Sequence, residues 1–297
     1  MTVPDLSVIV ASYNSMPTIP DCLNSLRNQK TKKSFEVIVV DSSNDGTAKM
    51  VASQFPEVVL LTFAERKYPG DARNIGIARA QAGIVASMDA DCIAGETWVE
   101  EIVAAHRNAA LVIGGSIGNA MSANYVGWAA YFCEFSEWMP GAPRSWRTNM
   151  ATANISYKKS AFEMYGRFIE GTYGSDTDFN WRLGRDGHRV LWIPSISVHH
   201  QSINNLGRFL NHEYHHGRDC CRMRIESQKF SASRRWLYAA CVALIPVKLF
   251  AVISFRNLRY RNYLRHFLKT VPLLIIALYF WAFGELDAFV WPRRPDK

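Results

Sequence analysis

The first 63 residues alternate apolar runs of strand length with segments of helical period. The apolar runs are Leu6–Ala11, Phe35–Val40 and Val58–Phe63. Between the first two, apolar side chains recur at helical spacing, at Ile19, Cys22, Leu23 and Leu26, and a second helical segment spans Ala48–Gln54. Because the runs lack polar alternation, they predict a mainly parallel sheet that helices bury on both faces. The predicted fold class is therefore α/β, with ligands bound outside the carboxyl ends of the strands.

Acidic and amide side chains follow several of these strands. The most informative group is Met88-Asp89-Ala90-Asp91, directly after an apolar run at residues 83–87. Residues two apart in an extended strand share a face, so both carboxylates can converge on one divalent cation. Mg2+ and Mn2+ prefer oxygen ligands and can neutralise a diphosphate. A solvated turn is the alternative if this motif is considered alone.

Six motifs occur in an order and spacing that resemble the family 2 inverting glycosyltransferases. They are residues 8–14 (VIVASYN), 39–47 (VVDSSNDGT), 72–76 (ARNIG), 88–91 (MDAD), 153–159 (ANISYKK) and 175–183 (SDTDFNWRL). The resemblance covers roughly residues 5–215. It implies the GT-A fold, a Rossmann-like sheet flanked by helices. It also implies transfer of a sugar from a nucleotide diphosphate donor to an acceptor hydroxyl by a single displacement.

The resemblance also implies which residues bind the donor. The residues concerned are Ser12, Tyr13, Asn14, Asp41, Arg73, Asn74, Asp89 and Asp91. The first three line the base and ribose, Asp41 accepts hydrogen bonds from the nucleobase, and Arg73 and Asn74 lie beside the donor. Asp91 ligates Mn2+ or Mg2+, and Asp89 contacts ribose or a metal-bound water. The alternatives are a turn or helix-capping role for Asp41 and a surface pair with Asp71 for Arg73.

The acceptor hydroxyl must lose a proton as it attacks, so the reaction requires a base. By resemblance the base is Asp176, in Gly174-Ser175-Asp176-Thr177-Asp178. The family usually has a Glu-Asp pair here, and Ser175 stands at the Glu position, which puts in doubt a second acid that binds the acceptor. Asp178 is the alternative base. Both carboxylates would also suit the positive end of a helix.

Five of the eight histidines fall within 18 residues. They are His199, His200, His212, His215 and His216. The first two follow a strand-like run at Val190–Val198, and by resemblance His199 or His200 completes the metal site, with His199 chosen here. The other three are expected to line a mobile loop over the donor or a polar helix face. Their spacing fits a closed structural zinc set poorly.

The net charge of +8 is unevenly distributed. Residues 1–233 carry 23 basic and 23 acidic side chains, whereas residues 234–297 carry 11 basic and three acidic side chains. The second part also contains two long apolar segments, Trp236–Phe255 and Thr270–Trp291. We therefore expect a GT-A catalytic domain over 1–233 and a membrane-associated helical tail over 234–297. Two full spans would place the basic loop outside, against the positive-inside tendency, so interfacial or re-entrant helices are favoured over a membrane hairpin. A soluble helical cap on the core is the other alternative.

These features define the expected partners and location. The partners are a nucleotide-diphosphate sugar, a glycan or lipid-linked acceptor and a membrane surface, without nucleic acid. No signal peptide is recognised and the six cysteines suggest no disulfide framework, so we expect the cytoplasmic face of a membrane. A nucleotidyltransferase is the main alternative, but the Ser12-Tyr13-Asn14-Ser15 loop lacks the glycines of a phosphate loop. A non-catalytic scaffold of the same fold is the other.

Overall fold

A computed structural model describes residues 3–121 and 123–292. They form two compact units, one from residues 3–120 and 142–201 and the other from residues 121, 123–141 and 202–292. The predicted division into 1–233 and 234–297 stays a prediction, and the two units are bounded differently. Three tail residues counted as basic, at positions 293, 294 and 297, lie outside the described residues.

The first unit, here called the sheet unit, contains a nine-stranded mixed sheet in its described residues. The strands are β1 (Leu6–Ser12), β2 (Phe35–Asp41), β3 (Val59–Thr62), β4 (Ile84–Asp89), β5 (Cys92–Ala94), β6 (Val112–Asn119), β7 (Ser145–Arg147), β8 (Asn154–Lys158) and β9 (Val190–His200). Their order is β3-β2-β1-β4-β8-β6-β9-β5, with β7 beside β9. The half from β3 to β4 is parallel, as predicted, and antiparallel pairs join β4 to β8 and β5 to β9. The predicted α/β fold is confirmed.

Six helices flank this sheet among the described residues. They are α1 (Ile19–Arg27), α2 (Thr47–Gln54), α3 (Pro69–Arg79), α4 (Trp98–Ala105), α6 (Ser160–Tyr165) and α7 (Ser175–Arg185), where α5 belongs to the other unit. α3 begins at a proline, and the Asp71 side chain accepts a hydrogen bond of 2.8 Å from the Tyr68 backbone N–H. This capping fixes the start of α3. Arg73, one residue beyond the first turn, reaches Asp89 at the end of β4.

The second unit, here called the helical unit, is built from helices in its described residues. They are α5 (Tyr125–Phe135), α8 (Leu206–Ser227), α9 (Ala232–Ala240), a 3-10 turn (Val242–Leu244), α10 (Ile245–Tyr260) and α11 (Leu264–Val290). Apolar side chains of α11 are buried against α5 and α8. Two acidic residues of α11 form ion pairs with α8, Glu285 with Arg224 at 2.9 Å and Asp287 with Arg222 at 3.4 Å. Glu285 and Asp287, whose charges would be costly inside a membrane, are thus paired with arginines within the unit.

Two glycines let α8 and α11 approach closely. A Cβ atom at Gly217 would collide with the backbone carbonyl oxygen of Trp281, and one at Gly284 with that of Tyr214. Backbone atoms cannot move aside as a flexible side chain can. We therefore expect Gly217→Ala to destabilise the protein by about 3 kcal/mol through overpacking, measured by urea unfolding.

Gly184 provides the matched control for this substitution. It lies on α7, and a Cβ atom added there would meet no heavy atom within 4 Å beyond the local backbone. Gly184→Ala should leave stability unchanged or raise it by up to about 1 kcal/mol, because alanine restricts the unfolded chain. Equal unfolding midpoints for the two variants would contradict the close packing of α8 on α11.

The helical unit also contains the segments for which membrane association is predicted. Among the described residues, α11 is the one helix that is long and apolar enough by itself to cross a membrane, and half of its apolar window is buried inside the protein. α9 and the segment 242–260 would together qualify as a broken span, bent by 50°. Length and composition therefore permit membrane contact, while packing uses much of the apolar surface of α11.

Candidate active site

The Asp41 side chain lies at the carboxyl end of β2, beside Ser12 at the end of β1. The two residues are paired in register, and the Ser12 hydroxyl donates a hydrogen bond of 2.6 Å to Asp41 Oδ1. The Ser43 hydroxyl donates to the same oxygen at 2.6 Å, and the Ser43 N–H donates to Oδ2 at 3.2 Å. Asp41 is 1% exposed. Its carboxylate is therefore fixed in orientation before any ligand binds.

The loop after β1 turns sharply at Asn14. This residue has a φ of 51°, in the left-handed region that asparagine tolerates better than most residues. Its side-chain oxygen accepts from the Asn44 N–H at 3.1 Å, and its own N–H donates to the Ser43 hydroxyl at 2.7 Å. These bonds tie the loops after β1 and β2 together, and they leave Tyr13 40% exposed.

An arginine that the sequence analysis missed joins this loop to the approach to α7. The Arg66 guanidinium lies 4.3 Å from the centre of the Tyr13 ring and donates a hydrogen bond of 2.6 Å to the Tyr173 hydroxyl. The Tyr68 ring contacts Tyr173 edge-on. Because Arg66 and Tyr173 are far apart in the chain and belong to no motif, their contact has no signal in the sequence.

Arg73 and Asn74 are neighbours on α3, but their side chains make different contacts. Arg73 is 5% exposed, and its guanidinium donates to the Ser87 hydroxyl at 3.0 Å and to Asp89 Oδ1 at 2.6 Å. Asn74 instead exchanges two hydrogen bonds of 3.0 Å with the Phe168 backbone. Burial raises the pKa of the Asp89 carboxyl, and the Arg73 charge acts in the opposite direction. Arg73 therefore positions Asp89, while Asn74 holds the segment ahead of α7.

Asp91 lies beside a histidine at the end of β9, the strand that pairs with β5. Cys92 pairs with His200 in the β5–β9 ladder, and the Asp91 carbonyl accepts from the Gln201 N–H at 2.8 Å. These contacts bring His200 Nε2 to 3.1 Å from Asp91 Oδ1. That oxygen is buried, yet it has no partner with hydrogen-bond geometry in the described part of the chain. A carboxylate oxygen and the nitrogen of a neutral imidazole at this distance suit a shared cation.

The choice between the two adjacent histidines follows from strand geometry. Successive side chains of a strand point to opposite faces, and here His200 is buried beside Asp91 while His199 is exposed on the other face. The structure thus places His200, and not the chosen His199, beside Asp91, and which of the two histidines binds a metal stays a prediction. One donor atom each from Asp91, Cys92 and His200 lie within 4.8 Å of one another, which makes this a candidate acidic and histidine metal site.

Asp176 lies in the first turn of α7 and is half-buried. Its Oδ2 accepts long hydrogen bonds of 3.3 Å from the N–H and hydroxyl of Thr152, and Oδ1 accepts from the Thr177 N–H at 2.8 Å. Burial, and then the negative charge of Asp176, raise the pKa of the neighbouring Tyr157. The Asp176 carboxylate thus has a defined orientation and an accessible edge.

The alternative base, Asp178, has a different environment. It is 4% exposed, and its Oδ2 accepts from Arg182 Nε at 2.9 Å. The Arg182 guanidinium also donates to the backbone oxygens of Tyr165 and Arg167. Asp178 therefore belongs to an ion pair that joins α7 to the preceding loop, and it is less accessible to a substrate than Asp176.

The described strand ends bring these groups to one edge of the sheet unit. Ser12 pairs with Asp41, Ala11 with Asp89, and Met88 with Asn154, which follows the Thr152 that contacts Asp176. An anchored carboxylate, an arginine–aspartate pair, a carboxylate–histidine pair and a half-buried carboxylate therefore share this edge. Such an arrangement can bind a nucleotide, hold a cation and accept a proton.

A family model described as glycosyl transferase family 2 matches residues 7–169, more than half of the chain. The chain belongs to glycosyl transferase family 2. This confirms the resemblance inferred from the six motifs.

Three curated relatives illustrate the similarity. Glycosyltransferase AglE of Haloferax volcanii is 36% identical over 104 residues, which is 33% of this chain and 34% of that protein. Succinoglycan biosynthesis protein ExoO of Rhizobium meliloti is 38% identical over 90 residues, 30% of this chain and 26% of that protein. Pre-mycofactocin glycosyltransferase of Mycobacterium tuberculosis is 28% identical over 216 residues, 68% and 44% of the two chains. The matched parts span less than half the length of each relative.

Two solved structures share the fold of this glycosyl transferase family 2 chain. The mannosyltransferase PcManGT from Pyrobaculum calidifontis, in complex with GDP-Man and Mn2+, has a TM-score of 0.61 at 18% identity and covers 99% of this chain and 89% of its own. S. aureus TarS 1–349, in complex with UDP-GlcNAc, has a TM-score of 0.55 at 16% identity, with coverages of 95% and 90%. These similarities confirm the predicted GT-A fold.

The structure gathers most of the residues predicted for the site of this glycosyl transferase family 2 member. Ser12, Asp41, Asp89, Asp91 and Asp176 lie at the common edge of the sheet, and Tyr13 and Asn14 lie in the loop that follows β1. Arg73 reaches the edge through Asp89, whereas the Asn74 side chain is engaged with the loop before α7. Their roles toward donor, metal and acceptor stay predictions.

Proposed function

We propose that this chain is a metal-dependent inverting glycosyltransferase that transfers a sugar from a nucleotide diphosphate to an acceptor hydroxyl. The observation that carries the proposal is the shared edge of the sheet, where Asp41, the Arg73–Asp89 pair, the Asp91–His200 pair and Asp176 meet. The names of AglE and PcManGT, a glycosyltransferase and a mannosyltransferase, support the same reaction class.

Asp91 and His200 fit a divalent cation such as Mn2+ or Mg2+. The buried Asp91 Oδ1 lacks a hydrogen-bond partner in the described chain and lies 3.1 Å from an imidazole nitrogen, a donor set that suits Mn2+ well. When bound, the cation would stabilise the negative charge of the diphosphate leaving group. Arg73 contributes by holding the Asp89 carboxylate in place through an ion pair of 2.6 Å.

The remaining roles fall to fixed carboxylates of the chain. Asp41 is held by two serine hydroxyls and accepts hydrogen bonds from the nucleobase edge. Asp176 is held by Thr152 and takes the proton of the attacking acceptor hydroxyl. Attack from the face opposite the diphosphate inverts the anomeric carbon. A single displacement thus requires one base, and Asp176 supplies it.

A screen of nucleotide sugars tests this function. Purified full-length protein is incubated with GDP-, UDP- and dTDP-sugars in Mn2+ or Mg2+, and release of nucleoside diphosphate is measured. We expect one donor to be hydrolysed slowly without acceptor and EDTA to abolish the reaction. Release of a sugar 1-phosphate instead of the nucleoside diphosphate would indicate nucleotidyl transfer, and turnover that resists EDTA would exclude the metal-dependent mechanism.

The exposed surface of the helical unit supports association of the protein with the cytoplasmic face of a membrane. Its large apolar side chains include Leu244, Val247 and Phe255, each more than 60% exposed. Exposed basic residues accompany them at Lys248, Arg259, Arg261, Arg265 and Lys269. Such a combination suits an interface with anionic lipids. An enzyme held there meets a lipid-linked acceptor, such as a polyprenyl phosphate or glycolipid, by diffusion in two dimensions.

We expect the full chain to pellet with vesicles of phosphatidylglycerol and phosphatidylcholine, and substitution of the exposed apolar residues to abolish this binding. The test variant combines Leu244→Glu, Val247→Glu and Phe255→Glu, because deletion of the tail would also remove buried α11 side chains such as Leu274. Vesicle binding should fall at least about tenfold, because the glutamates remove apolar surface that would insert into the bilayer and are repelled by the anionic lipid headgroups. Raised salt should weaken the basic contribution.

Met164 provides the matched control, since it is an apolar residue of the sheet unit that is 57% exposed. Met164→Glu should bind vesicles as the wild-type protein does. Unchanged vesicle binding by the triple variant would remove the support for a membrane surface. Full transfer to a water-soluble sugar acceptor, undiminished by detergent, would argue against a lipid-linked substrate.

A further inference from the structure

The helical unit contains a second cluster of metal-ligating side chains. His212, Glu213 and His216 lie on α8, and one donor atom from each lies within 4.8 Å of the others. His212 Nε2 is 3.2 Å from Glu134 Oε1, which belongs to α5. The histidines are therefore part of a regular helix rather than a mobile loop, and a carboxylate from another helix faces them.

Glu213 is a buried carboxylate whose neighbours, His212 and the Cys133 thiol, offset its burial only in part. It is 1% exposed, and both carboxylate oxygens are buried without a hydrogen-bond partner in the described residues. Among the described residues, no lysine or arginine forms an ion pair with Glu213. The neighbouring Cys133 thiol is at most a weak donor. A buried carboxylate is costly unless a cation or hydrogen bonds satisfy it, so this side chain points to a ligand.

We propose that His212, Glu213 and His216, together with Glu134, bind one Zn2+ ion within the helical unit. Two imidazole nitrogens and carboxylate oxygens are a donor set that Zn2+ accepts in tetrahedral geometry, whereas Mg2+ prefers oxygen alone. Tetrahedral ligand atoms lie about 3.3 Å apart when each is about 2.0 Å from the metal. The 3.2 Å between His212 Nε2 and Glu134 Oε1 already matches this spacing. Side-chain rotations can shorten the distances among His212, Glu213 and His216, which are within 4.8 Å.

The ligands come from two separated parts of the chain and include two glutamates, which explains why the spacing of the histidines alone fits a closed zinc set poorly. Glu134 belongs to segment 121–141, and the other three belong to segment 202–297. A closed set of four protein ligands leaves no position for a substrate, so the zinc is structural and holds α5 against α8. This inference lies beyond the proposed glycosyl transfer and does not depend on it.

The experiment measures zinc retained by the full chain carrying Asp91→Asn, which removes the other candidate site. The protein is stripped with a chelator, given Zn2+ with excess Mg2+, and passed through gel filtration, and bound metal is measured by mass spectrometry. We expect one Zn2+ per chain and a rise in melting temperature of about 5 °C. X-ray absorption at the zinc edge should show imidazole ligands.

Variants added to this chain locate the metal. His212→Ala combined with His216→Ala should retain less than about a tenth of the zinc, since two of four ligands are lost. His215→Ala removes a neighbouring α8 histidine outside the cluster and should retain all of it. Glu213→Gln keeps the side-chain shape, so a loss of zinc at least about tenfold with an unchanged circular dichroism spectrum would separate ligation from folding.

Three results would overturn the proposal. They are no zinc on the Asp91→Asn chain at micromolar metal, equal retention by Glu213→Gln, and equal loss in His215→Ala and the double variant. If the double variant does not fold, Glu213→Gln decides the question. Donor hydrolysis plays no part in these readouts, so a failure of the zinc site is distinguishable from a failure of the proposed enzyme activity.

Discussion

Asp91→Asn is expected to slow sugar transfer about 10²–10³-fold while the protein stays folded, because charge stabilisation of a leaving group is a large part of catalysis. The substitution keeps the size of the side chain but removes the charge beside His200 Nε2. Steady-state kinetics of nucleoside diphosphate release, with Mn2+ varied, measure the effect. Glu96→Gln makes the same charge change in an exposed pair with Lys30 and should leave the rate unchanged. Near-normal metal-dependent transfer by Asp91→Asn would refute the assignment.

The two adjacent histidines sharpen this test. His200→Gln should raise the Mn2+ concentration needed for half-maximal rate at least about tenfold, because it removes the imidazole next to the proposed metal ligand Asp91. His199→Gln should not change that concentration, since its side chain is exposed on the other face of β9. The reverse outcome would restore His199 as the metal residue.

Asp176→Asn is expected to lower transfer to the acceptor at least about a hundredfold, with donor binding by calorimetry preserved. Asparagine keeps the shape of the side chain and one acceptor oxygen, which can still accept from the Thr177 N–H, so we expect the first turn of α7 to keep its conformation. It cannot take the proton of the acceptor hydroxyl. The loss should therefore appear in turnover rather than in affinity for the donor.

Asp186→Asn is the matched control for Asp176. It makes the same change at the other end of α7, at an exposed position, and should leave transfer unaffected. If Asp176→Asn also abolished donor binding, Asp176 would be a positioning residue. Asp178 would then have to be tested in spite of its buried pair with Arg182.

Much of the sheet unit follows from local patterns in the sequence. The apolar runs from Leu6 and Phe35 predict parallel strands, and the structure pairs them in register from these first residues. Asp41 and Asp89 end strands that lie side by side with β1. Their convergence is predictable because parallel strands bring their carboxyl ends to one edge.

Other contacts depend on strand register and on pairs far apart in the chain. Asp91 meets His200 rather than His199 because β5 pairs with β9 through Cys92 and His200. A shift of one residue would exchange the faces of the two histidines, and neither apolar pattern nor motif determines that register. The contact between Arg66 and Tyr173 is equally absent from any local pattern.

The C-terminal region shows most clearly which properties follow from local sequence and which depend on contacts between distant residues. The sequence by itself determined the excess of positive charge, the apolar segments and the helical character of this region, because these properties depend on residues close together in the chain. Only the tertiary structure decided that α11 packs on α8, that Glu285 pairs with Arg224, and that Glu134 faces His212. Packing brings together side chains distant in sequence, and local periodicity carries no information about which distant partner each will meet.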